Sequence, residues 1–478
     1  MPEPTESTES TEPTESMQPT QPGGGRRRAA ESTRTRPSPV TVLAVLIPLL
    51  TVAALALVRP AEQAPTSFAP SEAALDRVTV VCPARLPGAD EVRMGTTALA
   101  SGDLALRVGR QDDTQALSGG VAARTERQYV VVNGSGELAP GLVASRSGGG
   151  SATGCDQPAP ERWFTGVGAS AEHTSTLTLI NPDRGPAVAD VTVWDGSGVV
   201  DVPALRGVRV PGGRSTSFDL AVVAPNRDAL ALRVSVSRGR LASSVVDVVD
   251  PVGRDRPVRE WLPAQAAPAP TSYVAGVGTT AADRVLTLAN PGDSEVRVAL
   301  ELVSEESEFA PAGVEEVSLD PASVTEVDLS GVLRGRNLQD VQALRLEATG
   351  PVTATLRTRT ASDLALTSAG STIEGDAAVA LPAGSKRVVV TGASAPGVVT
   401  LRAWDSDGDA VVRERRVEVD PATAARIRVP DEAVLAQVRV QRTGAVVSVE
   451  VSDRGLSVLP LAQLGTTSEV ADVRPAQR

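Results

Sequence analysis

Between residues 161 and 465, apolar side chains recur at every second position in short runs. VTVW (Val191–Trp194), RVSVS (Arg233–Ser237), TATLRT (Thr353–Thr358), VRVQR (Val438–Arg442) and VVSVEV (Val446–Val451) all share this spacing, and Gly, Pro, Asp and Asn separate them. Successive side chains of a strand point to opposite faces, so this pattern predicts half-buried antiparallel strands. LAVVAPNRDAL (Leu220–Leu230) and LSGVLRGRNLQDV (Leu329–Val341) are too interrupted for more than a helical turn.

The strand pattern repeats. LTLINP at Leu177–Pro182 returns as LTLANP at Leu286–Pro291, and PAPERWFTGVG at Pro158–Gly168 returns in nearly the same register as PAPTSYVAGVG at Pro268–Gly278. VTVWDGSGVV (Val191–Val200) is answered by LRAWDSDGDAVV (Leu401–Val412), and ALALRVSV (Ala229–Val236) by ALRLEATG (Ala343–Gly350). LPA at Leu262–Ala264 and Leu381–Ala383 and LPLA at Leu459–Ala462 mark the ends of units. We read three related units, 161–267, 268–383 and 384–465, after a separate β-rich domain at 76–160. The predicted class is all-β, with tandem immunoglobulin-like β-sandwich repeats. Each unit has its own strands, so a serial, extended array is expected. Asn-Pro closes a strand, because Pro lacks the ladder donor and Asn can bond its own backbone as the chain turns.

One segment breaks the alternation. Val40–Val58 is uncharged and nearly all apolar, long enough as a helix to approach the thickness of a hydrocarbon core, with Pro48 a kink. Arg26, Arg27, Arg28, Arg34 and Arg36 precede it, so the positive-inside rule leaves the N-terminus cytoplasmic and everything after Arg59 outside. A cleaved signal peptide fits less well, given the long N-terminal region. The expected layout is a disordered tail at 1–39, a single transmembrane helix at 40–58, a linker at 59–75 and a C-terminal tail at 466–478. The first tract, PEPTESTESTEPTES, has no apolar side chain to order it.

Cys82 and Cys155 are the only cysteines, and an even pair in an exported chain is most simply one disulfide. Chemistry is otherwise sparse. Asp405, Asp407 and Asp409 begin like a calcium loop, but Ala410 stands where Gly is needed and Arg416 where Glu is needed, so a hairpin turn is expected. GVG at Gly166–Gly168 and Gly276–Gly278 lacks the nucleotide-binding spacing and reads as bulge or turn glycine. His173 is the only histidine; Ser175 lies close to it, but no nucleophile turn supports a triad, and a surface position is expected. No catalytic residue, cofactor or metal site is predicted. Trp163, Trp194, Trp404 and Tyr273 occupy points related by the repeats and read as core anchors before they read as sugar platforms. The net charge of −12 argues against nucleic acid.

The Arg-flanked anchor, Cys82-Pro83 and the repeated PAP, GVG, LTLxNP and LPA units together resemble an uncharacterised actinobacterial family, a domain of unknown function, of membrane-anchored, β-rich envelope proteins. The resemblance covers the chain from about residue 40 onward. It implies location and architecture, with no established activity. The functional expectation is a non-catalytic, membrane-anchored extracytoplasmic scaffold that binds envelope proteins. The alternative is a cell-wall glycan-binding module associated with envelope polysaccharide assembly. Exposed aromatics in a groove would mark the second.

Overall fold

The computed structural model describes residues 38–57, 71–251, 256–265, 267–277, 283–333, 340–465 and 467–470. The expected disordered tail lies outside them except for its last positions, as do Gly278 and the end of the chain. The polypeptide forms two compact units, 1–69 and 70–478. In the first, helix α1 spans Pro39–Leu57 with Pro48 inside it. Thr51 Oγ1 donates to the carbonyls of Ile47 and Pro48 at 2.9 and 2.8 Å. No helix among the described residues is long and apolar enough to cross a membrane.

The second unit is β throughout, and its strands sort into four two-sheet modules. In the first module one sheet orders Arg77–Cys82, Val130–Ser135, Gly102–Val108 and Gln111–Leu117, and the other orders Val121–Thr125, Glu91–Thr96, Leu142–Gly148 and Ser151–Gly154. Numbering the eight strands along the chain, the order is 1-6-3-4 facing 5-2-7-8. The fourth module repeats it, with Asp376–Ala380, Leu435–Gln441, Gly397–Trp404 and Ala410–Val419 opposite Ala424–Val429, Ser385–Thr391, Ala445–Ser452 and Leu456–Pro460.

Modules two (161–262) and three (269–368) keep the same order with local changes. In module two a single pairing, Ala169 with Thr174, links the two sheets. In module three the sixth and seventh strands fuse into one long strand, Val341–Arg359, whose first half pairs with Val296–Ser304 and whose second half pairs with Asp283–Asn290. An immunoglobulin domain sets its first strand beside the second and its seventh beside the sixth. Here the first lies beside the sixth and the seventh beside the second, so the sandwich is of another topology.

Two boundaries differ from the repeat reading. The first domain is a sandwich of the same order as the others, although its sequence carries neither LTLxNP nor GVG. Leu381–Ala383 follows the first strand of module four, so that module begins before residue 384; the matching corner is Cys82–Ala84, after the first strand of module one.

Each module buries its own apolar core, and smaller clusters fill the seams between modules. Val81 and Val131 meet Ile180 and Ala242 between modules one and two. Trp163 and Trp194 meet Ala289 and Val324 between two and three. Ala275 and Val303 meet Val389 and Val446 between three and four. Val121 meets Trp404 and Leu435 between four and one. The modules therefore close on themselves in a ring, and the serial array expected from the repeats is overturned. Alternation explains why: the second face of these strands also carries apolar or small residues at the seams, so one module alone leaves them wet.

The eighth strands meet at the centre. Ser151–Gly154 lies against Leu456–Pro460, which lies against Leu364–Ser368, which lies against Val258–Leu262, which returns to Ser151–Gly154. Within segments expected to be linker and tail, Ser71–Ala74 pairs antiparallel with Thr467–Val470. The two ends of the ring are thus clipped together.

Candidate functional site

The sequence candidates resolve first. Cys82 and Cys155 are joined in a disulfide across a sequence separation of 73, tying the first strand of module one to the segment after its eighth. Asp405 Oδ1 accepts the backbone N–H groups of Asp407 and Asp409 at 3.0 and 2.9 Å, so the carboxylate organises its own turn. That turn packs against Gly119 of module one. Among the described residues no cluster of His, Cys, Asp or Glu could hold a metal ion. Gly166 has φ +81° at a register shift in the first strand of module two, a bulge glycine. Trp163 and Trp194 stack with ring centroids 5.1 Å apart, and they fill a seam between modules as well as anchoring a strand.

His173 is not on the surface. It starts the second strand of module two and is 8 % exposed. Its Nε2 lies 2.9 Å from Asp247 Oδ1, its Nδ1 lies 3.0 Å from the Asp228 carbonyl oxygen, and Arg357 of module three approaches at 3.1 Å. Ser175 also donates to Asp247. The order is Ser, Asp, His, with the carboxylate in the middle. A nucleophilic triad needs the imidazole between hydroxyl and carboxylate. Here the Ser175 proton is given to Asp247, and Ser175 Oγ accepts the Gly168 N–H at 2.9 Å, so nothing activates it.

The same strands carry a second polar group toward the centre of the ring. Glu260 pairs in register with Asp247 across neighbouring strands and is 2 % exposed. Its Oε1 accepts the Trp261 N–H at 2.8 Å, and its Oε2 lies 2.9 Å from Ser457 Oγ of module four. Ser457 Oγ accepts the Ala152 N–H of module one at 2.9 Å and lies 3.3 Å from the Gly150 carbonyl oxygen. From module three, Asp363 Oδ2 accepts the Leu456 N–H at 2.8 Å. Gly455 sits so close that a Cβ there would fall 2.3 Å from Asp363 Oδ1. All four modules thus contribute to one polar junction. A cavity of about 270 Å³ between modules one and four, lined by Asp90, Glu91, Gly150, Asp453, Arg454 and Ser457 among others, borders it.

Burial sets the electrostatics. It pushes the Glu260 carboxyl well above the usual carboxylate range; the Trp261 amide and the Ser457 hydroxyl pull it back, and the neighbouring Asp363 charge adds to the rise. Asp363 is raised by burial too, against the Leu456 and Leu364 amides.

Sequence reasoning missed Asp247, Glu260, Arg357, Asp363 and Ser457. A signal was present: in Val245-x-Asp247-x-Val249 and Val258-x-Glu260-x-Leu262 the period-two pattern places a carboxylate on the core face. It missed Lys386 as well, the only lysine, whose Nζ donates to the carbonyls of Pro382, Gly384 and Asp431 at 3.1, 3.0 and 2.8 Å. Three donors meet three acceptors, and burial lowers the pKa of the ammonium.

Residues 112–430 match a family of unknown function, DUF5719. The chain belongs to this family. The DUF5719 match takes in modules two and three whole, begins in the fourth strand of module one and ends before the last three strands of module four. The family therefore reaches into all four modules, and the resemblance to an uncharacterised family stands. No curated protein matches the chain.

Proposed function

We propose that this DUF5719 protein is a non-catalytic scaffold of an actinobacterial cell envelope, held to the membrane by α1 with its β-ring outside the cytoplasm. The observation that carries the reading is the use made of its chemistry-bearing side chains. His173, Ser175 and Asp247 are spent on one another within module two, beside Arg357 of module three, and Glu260 and Ser457 on one another between modules two and four. The four tryptophans are likewise buried, between 2 and 8 % exposed, which weighs against a glycan module built on stacking platforms. What remains outward is strand edges and charged sheet faces, surfaces suited to protein contact.

The test is complementation in cells lacking the gene. His173→Ala and Asp247→Asn variants that fold should restore function, and a chain without residues 39–57 should fail to. Loss of function in a folded His173 or Asp247 variant would transfer the weight to an active site. Location is tested separately, by a reporter active only outside the cytoplasm fused after Arg478.

A further inference from the structure

Proton counting at the junction singles out one protonation state. Ser457 has a single hydroxyl proton, yet its Oγ lies within reach of two acceptors, Glu260 Oε2 at 2.9 Å and the Gly150 carbonyl at 3.3 Å. With Glu260 neutral, its O–H donates to Ser457 Oγ and Ser457 donates onward to Gly150. The Ala152 N–H takes the other lone pair of Ser457 Oγ. Every group is then satisfied, and a single relay runs from module two through module four to module one. With Glu260 ionised, the Ser457 proton must turn back to the carboxylate, and the Gly150 carbonyl loses its donor. The link from module four to that half-buried carbonyl of module one is then lost, and the charge sits on a side chain only 2 % exposed, where burying it is costly.

We propose that this junction is a pH-sensitive latch: protonated Glu260 holds the four-module ring shut, and its ionisation beside Asp363 loosens it.

The surrounding charges favour the same direction. Glu260 faces Asp247 across its own sheet, and beyond Asp247 lie His173 and the Arg357 guanidinium of module three. Module three also presents Asp363. Module four brings the Asp453 and Arg454 pair, 3.6 Å apart, and module one brings Asp90 and Glu91 to the adjoining cavity. The groups acting directly on Glu260 are amide, hydroxyls and the Asp363 carboxylate, with no cation among them. The cavity at the seam of modules one and four borders Ser457, so solvent can exchange the proton.

The sign follows from linkage. A carboxyl that holds its proton more tightly folded than unfolded takes stability from the folded state as pH climbs above the ordinary carboxylate range, and the loss is complete above its folded value. The latch is therefore tight while Glu260 keeps its proton and slackens as pH climbs above the ordinary carboxylate range. This inference does not depend on which partner the ring contacts.

The test is hydrogen exchange on the full chain in detergent, read at the Ala152 and Leu456 amides and corrected for the intrinsic pH dependence of exchange. Opening at these sites should increase about tenfold or more between pH 5.5 and 8.5, a factor of ten per unit of pKa displacement, while amides in module cores stay protected. In Glu260→Gln the side-chain amide donates to Ser457 at every pH, so most of the dependence should vanish. Asp363→Asn removes the neighbouring charge that favours the proton on Glu260, so it should move the dependence to lower pH, and it serves if the first variant folds poorly. A flat wild-type profile, or a folded Glu260→Gln protein with the wild-type slope, overturns the latch.

Discussion

Asn181 and Asn290 close equivalent strands with one side chain each. Asn181 Nδ2 donates to the carbonyls of Gly185 and Val210 at 2.8 and 3.0 Å, and its Oδ1 accepts the Asp183 N–H at 2.9 Å. Asn290 repeats the grip on Ser294, Asp320 and Gly292. Asn181→Ala would leave a buried carbonyl and a turn amide without partners, and chemical denaturation should show a loss of about 1–3 kcal/mol. This role was legible in the sequence, because Asn followed by Pro at the end of an alternating run has a local mechanism. The role of His173 was not. Its partners, Asp247 and Arg357, lie 74 and 184 residues away, and the second repeat has no histidine to compare with it.

Strands were legible as elements, and their pairing was not. Alternation fixes which side chains share a face, but the order 1-6-3-4 against 5-2-7-8 depends on contacts no short window contains. The LPA motif misled for a related reason: at Leu262 it follows an eighth strand, whereas at Leu381 it follows a first strand, since both are strands that turn into a corner. The disulfide is a prediction at this scale. It closes a loop whose removal from the unfolded ensemble is worth about 4 kcal/mol in the chain-entropy account, so a Cys82→Ser, Cys155→Ser protein should unfold at correspondingly lower denaturant. The seam between modules four and one gives another. Gly119 has φ +58°, and a Cβ there would stand 2.2 Å from the Asp407 carbonyl oxygen. Gly119→Ala should therefore open that seam, seen as protease cleavage near the Asp405–Asp409 turn, while the cores of both modules persist.

At the scale of the molecule, closure replaces the extended string that repeats alone would imply. Small-angle scattering from residues 70–478 should give a radius of gyration near the ~21 Å of a compact body of about 400 residues; a serial array of four sandwiches would be far larger. Ring closure also sets a timetable for synthesis. Val121 leaves the ribosome early, and Trp404, which covers it, follows 283 positions later. At about 5–20 residues per second that interval is roughly 15–60 s. Throughout it, module one keeps its own core but shows an uncovered apolar flank, and Ser71–Ala74 waits for the strand that completes it at the very end of the chain. A half-made molecule is thus adhesive where the finished one is not, and a chaperone that shields the first module until the last arrives would act on the surface later occupied by Trp404 and Leu435.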